Sequence, residues 1–153
     1  MANIKIVENN IGKALNELDD CTELILTMIG TKIEKYAKAL CPVGTPESVG
    51  SKNKKTGKVY PRKGYRGGTL RNSITFEVDG DTLVAGSNVE YAPYVELGTG
   101  PNFVSPPSWI EFNTTKGSGI GHGYVKPRPY LQPAVKDHLS QYKKIIESTL
   151  KQH

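Results

Sequence analysis

Cysteine is scarce in this chain, with two in 153 residues. Two thiols cannot build the disulfide framework of a small secreted domain, and they suit a reducing compartment. Cys21 and Cys41 fall on one stretch of helical spacing. Along such a helix they would stand roughly 30 Å apart, beyond disulfide reach, so both are expected to be small buried residues. Long apolar runs are missing too. None approaches the roughly 20 residues that span a bilayer, and Met1–Ile6 has neither the basic start nor the apolar stretch of a signal peptide. Residence in a cytosol, with no membrane partner, is the expectation. Histidine is limited to three residues. His122, His138 and His153 have no cysteine or carboxylate at ligand spacing, so no metal site is expected.

Motifs for phosphate binding and catalysis are also lacking. Gly57-Lys58 is followed by Val59 where a P-loop needs Ser or Thr, and Lys52 stands where its first glycine belongs. The cluster Gly117–Gly123 fails G-x-G-x-x-G because His122 takes the place of the third glycine. It reads as a loop tip. No Ser or Cys has the setting of a nucleophile. Glu90 and Glu96 are close enough in sequence to meet, but nothing beside them suggests acid–base work. Neither enzymatic activity nor a cofactor is expected.

The most informative absence is of acid. The chain carries a net charge of +5 and a pI near 9.1, a balance that favours polyanionic partners. From Ser48 to Phe76 there is no acidic residue, while Lys52, Lys54, Lys55, Lys58, Arg62, Lys63, Arg66 and Arg71 are all basic. Tyr60 and Tyr65 lie among these cations. Mixed basic and aromatic residues on a loop suit contact with a phosphate backbone or stacking on bases. With no base-reading motif, such contact would be independent of sequence. The other reading is a solvated loop that orders against a neighbouring subunit.

A chain that is 37% hydrophobic and 23% charged builds one domain, residues 1–153, with a modest core and sizeable segments outside it. Apolar residues at helical spacing from Ile11 to Leu40 predict a long helix, with Asn10 as its N-cap and Gly30 as a weak point inside it. Pro42 and Gly44 end it. Residues 45–67 read as an extended loop. Strand signals begin at Leu70: Ile74, Phe76 and Val78 alternate with polar residues, Asp79-Gly80 marks a tight turn, and Leu83–Gly86 returns. A third strand is available from Val59-Tyr60 or from Ile4–Val7. Tyr91–Thr99 then reads as a short helical plug, with Pro93 in its first turn and Gly98 at its C-terminal end. Residues 100–127 form a second extended segment, with a short turn at Ser108–Phe112 anchored by Trp109 and Phe112. A last helix starts with Pro133 in its first turn and places Leu131, Ala134, Val135, Leu139, Tyr142, Ile145, Ile146 and Leu150 on one side. The fold class is α+β, a small antiparallel sheet centred on a 70–87 hairpin and packed against long N-terminal and C-terminal helices.

Four separated segments carry a resemblance. They are Ala39-Leu40-Cys41-Pro42-Val43-Gly44-Thr45, Gly68-Thr69-Leu70-Arg71-Asn72-Ser73-Ile74, Tyr91-Ala92-Pro93-Tyr94-Val95-Glu96-Leu97-Gly98-Thr99 and Arg128-Pro129-Tyr130-Leu131-Gln132-Pro133-Ala134. In this order they resemble the marks of the tailed-bacteriophage neck proteins called head–tail joining or tail-completion proteins: A-P-x-x-T-G, G-x-L-R-x-S-I, Y-A-x-x-V-E-F-G-T and R-P-F-L-x-P-A. The likeness covers residues 30–150. Leu97 and Tyr130 replace two phenylalanines, and a basic insertion separates the first mark from the second.

The resemblance implies a non-enzymatic virion component, made in the host cytoplasm and built into the neck as a homo-oligomeric ring around the DNA channel. Six-fold symmetry is the family expectation, with twelve-fold the alternative nearer the portal. The implied partners are the connector or stopper protein and the tail-tube or tail-terminator protein. The fold-signature residues are Leu70, Arg71, Tyr91, Tyr94, Glu96, Gly98, Thr99, Arg128, Pro129 and Leu131. Within this set Glu96 is expected to pair with Arg71 or Arg128. The cations from Lys52 to Arg66 are candidates for contact with DNA or a neighbouring subunit. The rival reading is an accessory protein that binds nucleic acid without sequence preference through the basic 52–71 loop.

Overall fold

The structure, a computed structural model, describes residues 11–46, 48, 50–105, 108 and 125–152. The proposed N-cap Asn10, the Ile4–Val7 strand, the anchors Trp109 and Phe112 and the Gly117–Gly123 cluster lie outside them.

Helix α1 spans Ile11–Leu40, about 45 Å of rise. Its buried residues Cys21, Ile25, Ile29, Ile33 and Ala37, and Cys41 just past its end, follow one another at steps of four. A row at that spacing advances about 40° around the axis per step, so the apolar line winds round the helix instead of running straight. It therefore meets two sets of partners, the main hairpin and the C-terminal helices. Both cysteines are buried and free.

Gly30 does not break the helix, and it has a packing role. A Cβ built on it would lie 2.3 Å from Cδ2 and 2.7 Å from Cγ of Phe76. The missing side chain is what lets the sheet approach the helix with the Phe76 ring laid on its backbone.

The segment after α1 is not wholly irregular. Strands β1 (Ser51–Lys52) and β2 (Val59–Tyr60) pair antiparallel, with Ser51 opposite Tyr60 and Lys52 opposite Val59. Asn53 makes the turn. Its Oδ1 accepts the N–H groups of Lys55 and Thr56 at 2.9 and 3.1 Å, and Gly57, at φ +69°, donates to the Asn53 carbonyl. Val59-Tyr60 is thus a strand, but of a separate two-stranded sheet and not a third strand of the main one.

The main hairpin starts later than the sequence predicts. Residues Thr69–Ser73 form a short helix, α2. Its last residue turns inward, with Ser73 Oγ donating to the Leu70 carbonyl at 2.7 Å and lying 2.7 Å from Ser87 Oγ. Strand β3 (Ile74–Asp79) then pairs with β4 (Thr82–Ser87), Ile74 facing Ser87 and Phe76 facing Ala85. The connection is Gly80-Asp81, with Gly80 at φ +58°. Ile74 is fully buried, Phe76 and Val78 are half-buried, and Thr75, Glu77 and Asp79 point to solvent, the alternation expected of a sheet with one covered face. Burying a side chain the size of Ile74 contributes about 2–3 kcal/mol.

Helix α3 (Ala92–Leu97) and a 3-10 turn (Gly100–Asn102) follow. The single last helix of the sequence reading is two helices, α4 (Leu131–Lys136) and α5 (Leu139–Leu150). The break at Asp137-His138 has visible partners. The His138 ring stacks on Tyr36 of α1, centroids 3.5 Å apart, and the Tyr142 hydroxyl donates to the Ala134 carbonyl in the last turn of α4 at 2.5 Å. The break changes the phase of the second helix. Ala134 and Tyr142 are buried as expected, but Leu139 and Leu150 are 59% and 52% exposed. The architecture is α+β: among the described residues two small antiparallel sheets lie between α1 and the C-terminal helices in sequence.

Candidate functional site

Helix α3 is tied to later parts of the chain by several hydrogen bonds. Pro93 sits in its first turn, and Gly98 follows it at φ +77°, ψ −171°, a conformation in practice reserved for glycine. Glu96, inside the helix and 2% exposed, directs both carboxylate oxygens at the start of α4. Oε2 accepts the N–H groups of Tyr130 and Leu131 at 2.7 and 3.1 Å, and Oε1 accepts that of Gln132 at 2.9 Å. These are amides that a helix start leaves without partners. An anionic cap there also matches the positive end of the helix dipole. Glu96 therefore does not pair with Arg71 or Arg128, since no ion pair joins it to either among the described residues. Its partners are backbone groups, which a reading by charge cannot see.

The neighbouring residues extend this clamp. The Arg128 N–H donates to the Val95 carbonyl at 2.7 Å, and the Val104 N–H to the Leu97 carbonyl at 2.8 Å. Thr99, itself buried, exchanges two bonds with Val125. Its N–H donates to the Val125 carbonyl, and its Oγ1 accepts the Val125 N–H, both at 2.9 Å. Tyr130, with no exposed surface, packs beside the cap. Burial pushes its hydroxyl well above the ordinary tyrosine range, helped by the Glu96 charge.

The four sequence marks meet around one cleft of about 350 Å³. Pro42–Thr45 from the first mark, Gly68–Leu70 from the second, Tyr91 and Val95 from the third and Arg128 from the fourth all face it, with Tyr65 and Ser48 from the intervening segment. Gly67 brings the walls together, because a Cβ on it would stand 2.1 Å from the Gly44 carbonyl oxygen. Behind the cleft the Cys41 thiol is raised above its ordinary value, chiefly by burial. Arg71 pulls it down and Glu96 pushes it up. Of the signature residues, Leu70, Tyr91, Glu96, Thr99, Arg128 and Leu131 are brought into this region by contact or hydrogen bond. Arg71 and Pro129 are exposed, and Tyr94 is half-buried.

The basic residues form a different surface. Every residue from Ser51 to Gly64 is exposed, and this stretch carries Lys52, Lys54, Lys55, Lys58, Arg62 and Lys63, with exposed Arg66 just beyond. The Lys58 ammonium lies 5.5 Å from the centre of the Tyr60 ring. Sequence reasoning missed the fold of this arm. The signal was Asn53 followed four positions later by Gly57, the pair that a tight hairpin turn needs. Among the described residues no group of three or more His, Cys, Asp or Glu side chains could hold a metal ion, and no helix is long and apolar enough to cross a membrane. No family model matches the chain, and neither a curated protein nor a solved structure is significantly similar to it.

Proposed function

We propose that this protein is a structural, non-enzymatic component of a tailed-phage neck, a ring subunit that joins the head connector to the tail around the DNA channel. The observation that carries the reading is the convergence of the four marks. Segments far apart in the chain, chosen for their resemblance to neck proteins, meet at the α3 clamp and its cleft. That supports their being one structural signature and not four coincidences. The division of the surface fits the role. A rigid clamp fixes the body, while a basic arm and exposed apolar side chains such as Val84, at 62% exposure, remain available to neighbours. In this reading the subunit is made in the host cytoplasm and ends in the virion neck. Its partners are copies of itself, six-fold or twelve-fold, and the adjoining connector or stopper and tail-tube or tail-terminator proteins. Deleting its gene from a phage that encodes it should leave filled heads and free tails in the lysate, visible by electron microscopy, and the purified protein should join them. Normal tailed particles in the deletion lysate would overturn the reading.

The arm favours a second reading, an accessory protein that binds nucleic acid without sequence preference. Seven cations and no acid between Lys52 and Arg66, on a hairpin open to solvent, suit phosphate contacts. If all seven engaged phosphates on duplex DNA, log K would fall with log salt at a slope of about −6. A slope near zero for DNA binding by the isolated protein would exclude this reading.

A further inference from the structure

The outer face of α1 is the counterpart of the basic arm. Leu24 and Met28, one turn apart, are 46% and 41% exposed. Asp20, one turn before Leu24, and Glu23 next to it are exposed, and no basic residue occurs from Leu18 to Thr31; Lys32, one turn past Met28, ends the row. The face is thus an apolar pair with carboxylates at its N-terminal edge. The arm is its complement. Tyr60 is 49% exposed, the Lys58 ammonium lies 5.5 Å from its ring, and Lys55 follows in the turn at Asn53.

One copy cannot bring the two together. The arm leaves the body at the C-terminal end of α1, where Gly67 is packed on the Gly44 backbone and the Arg62 N–H donates to the Pro46 carbonyl at 3.0 Å. Asp20 lies twenty residues before Leu40 on the same helix, roughly 30 Å away along the axis. The Ser51–Gly64 residues are exposed and do not fold back over it. Two complementary patches at opposite ends of one rod favour a head-to-tail contact between copies. Such a contact leaves one free patch of each kind at the ends until a ring closes.

We propose that the 51–60 hairpin of one copy docks on the Asp20–Met28 face of α1 of the next. The hairpin face that carries Tyr60 and Lys58 covers Leu24 and Met28 with the Tyr60 ring, and Lys55 and Lys58 meet Asp20 and Glu23. This deepens the ring-subunit reading and rests on it. It also gives the basic arm a protein partner of stated chemistry in place of DNA.

The test uses two charge-reversed full-length chains, Asp20→Lys/Glu23→Lys and Lys55→Glu/Lys58→Glu, followed by sedimentation velocity and native mass spectrometry beside the wild type. All four positions are exposed, and circular dichroism checks the folds. The wild type is expected to assemble, less so as salt is raised. Each variant alone should shift to monomer. An equimolar mixture should regain the wild-type mass, because the reversed α1 face of one accepts the reversed arm of the other. A misfolded variant could not restore assembly, so recovery in the mixture supports docking and its failure overturns it. Wild-type-like rings from either variant alone would overturn the docking and leave the ring reading standing. Loss of assembly from the arm variant but not from the α1 variant would show that the arm grips something else, and would likewise overturn it. A wild type that stays monomeric overturns the docking, while the deletion lysate separately decides the neck reading.

Discussion

Replacing Glu96 by alanine should damage this protein more than any other single substitution near the cleft. The side chain is 2% exposed, and it accepts three backbone N–H groups at 2.7, 3.1 and 2.9 Å. Hydrogen bonds to a charged group contribute about 1.5–3 kcal/mol each, and a buried donor left alone costs its desolvation. The Tyr130 amide is buried and has no route to water. The Leu131 and Gln132 amides are partly buried and can recover part of the loss from solvent. Counting one bond in full and the other two at about 1 kcal/mol each gives a loss of about 3–5 kcal/mol. That is a large share of the 5–15 kcal/mol typical of a domain. At about 2–4 °C per kcal/mol for a chain of this size, the melting temperature should fall by roughly 10–15 °C.

Glu96→Gln is the sharper probe. It keeps one acceptor oxygen but sets an NH2 group against an N–H, so it should lose about half as much. Urea unfolding gives the free energies. Hydrogen exchange should show protection lost first at Tyr130–Gln132, before the hairpin is affected. An alanine variant within about 0.5 kcal/mol of wild type, or a uniform loss of protection, would refute the clamp.

Three other predictions follow from single contacts. Gly30→Ala sets a helix-propensity gain of about 1 kcal/mol against overpacking of about 1–3 kcal/mol. With Phe76 Cδ2 at 2.3 Å from the new carbon the clash should win, and a second change, Phe76→Leu, should recover part of the loss in thermal unfolding. Burial raises the Tyr142 hydroxyl to about 12, with Tyr36 adding to it, against an ordinary value near 10. The folded value is the higher one, so this contribution is complete below pH 10 and is lost as pH rises through about 12. A Tyr142→Phe chain should therefore show a flatter decline of stability across pH 10–12. Finally, Cys41 is buried and its thiol is raised, so it should react with a thiol reagent at neutral pH only after denaturant is added. Rapid labelling of the native chain at Cys41 would refute its burial.

The helical spacing of α1 was plain in the sequence, and so was the alternation of β3. Both are local patterns that tertiary structure only had to accept. The α3 plug was legible from Pro93 and Gly98 because each residue carries its own backbone requirement. What could not be read depends on distance in the chain. Glu96 looked like half of an ion pair, because charge is visible in a sequence and a backbone amide 34 positions away is not. Gly30 reads in the sequence only as a small cost to the helix, because the Phe76 ring that lies against it is 46 positions away. Continuous apolar spacing from Leu131 to Leu150 concealed the break at Asp137-His138, which depends on the stack with Tyr36. Leu70 stands where the strand signals begin. It is buried from a short helix, an outcome that residue type alone does not separate from a strand.

The clamp around α3 also determines where this chain can change without harm. Val95, Thr99 and Glu96 bind Arg128, Val125 and Tyr130 directly, so the chain leaving Thr99 and the chain returning at Val125 are fastened side by side. For a segment with fixed ends, doubling its length costs only about 0.6 kcal/mol in closure entropy. Changes of length after Val104 and before Val125 would leave every one of these bonds in place. Related chains could thus carry very different sequences there, lengthened or trimmed to suit whatever they touch, while the clamp stayed the same.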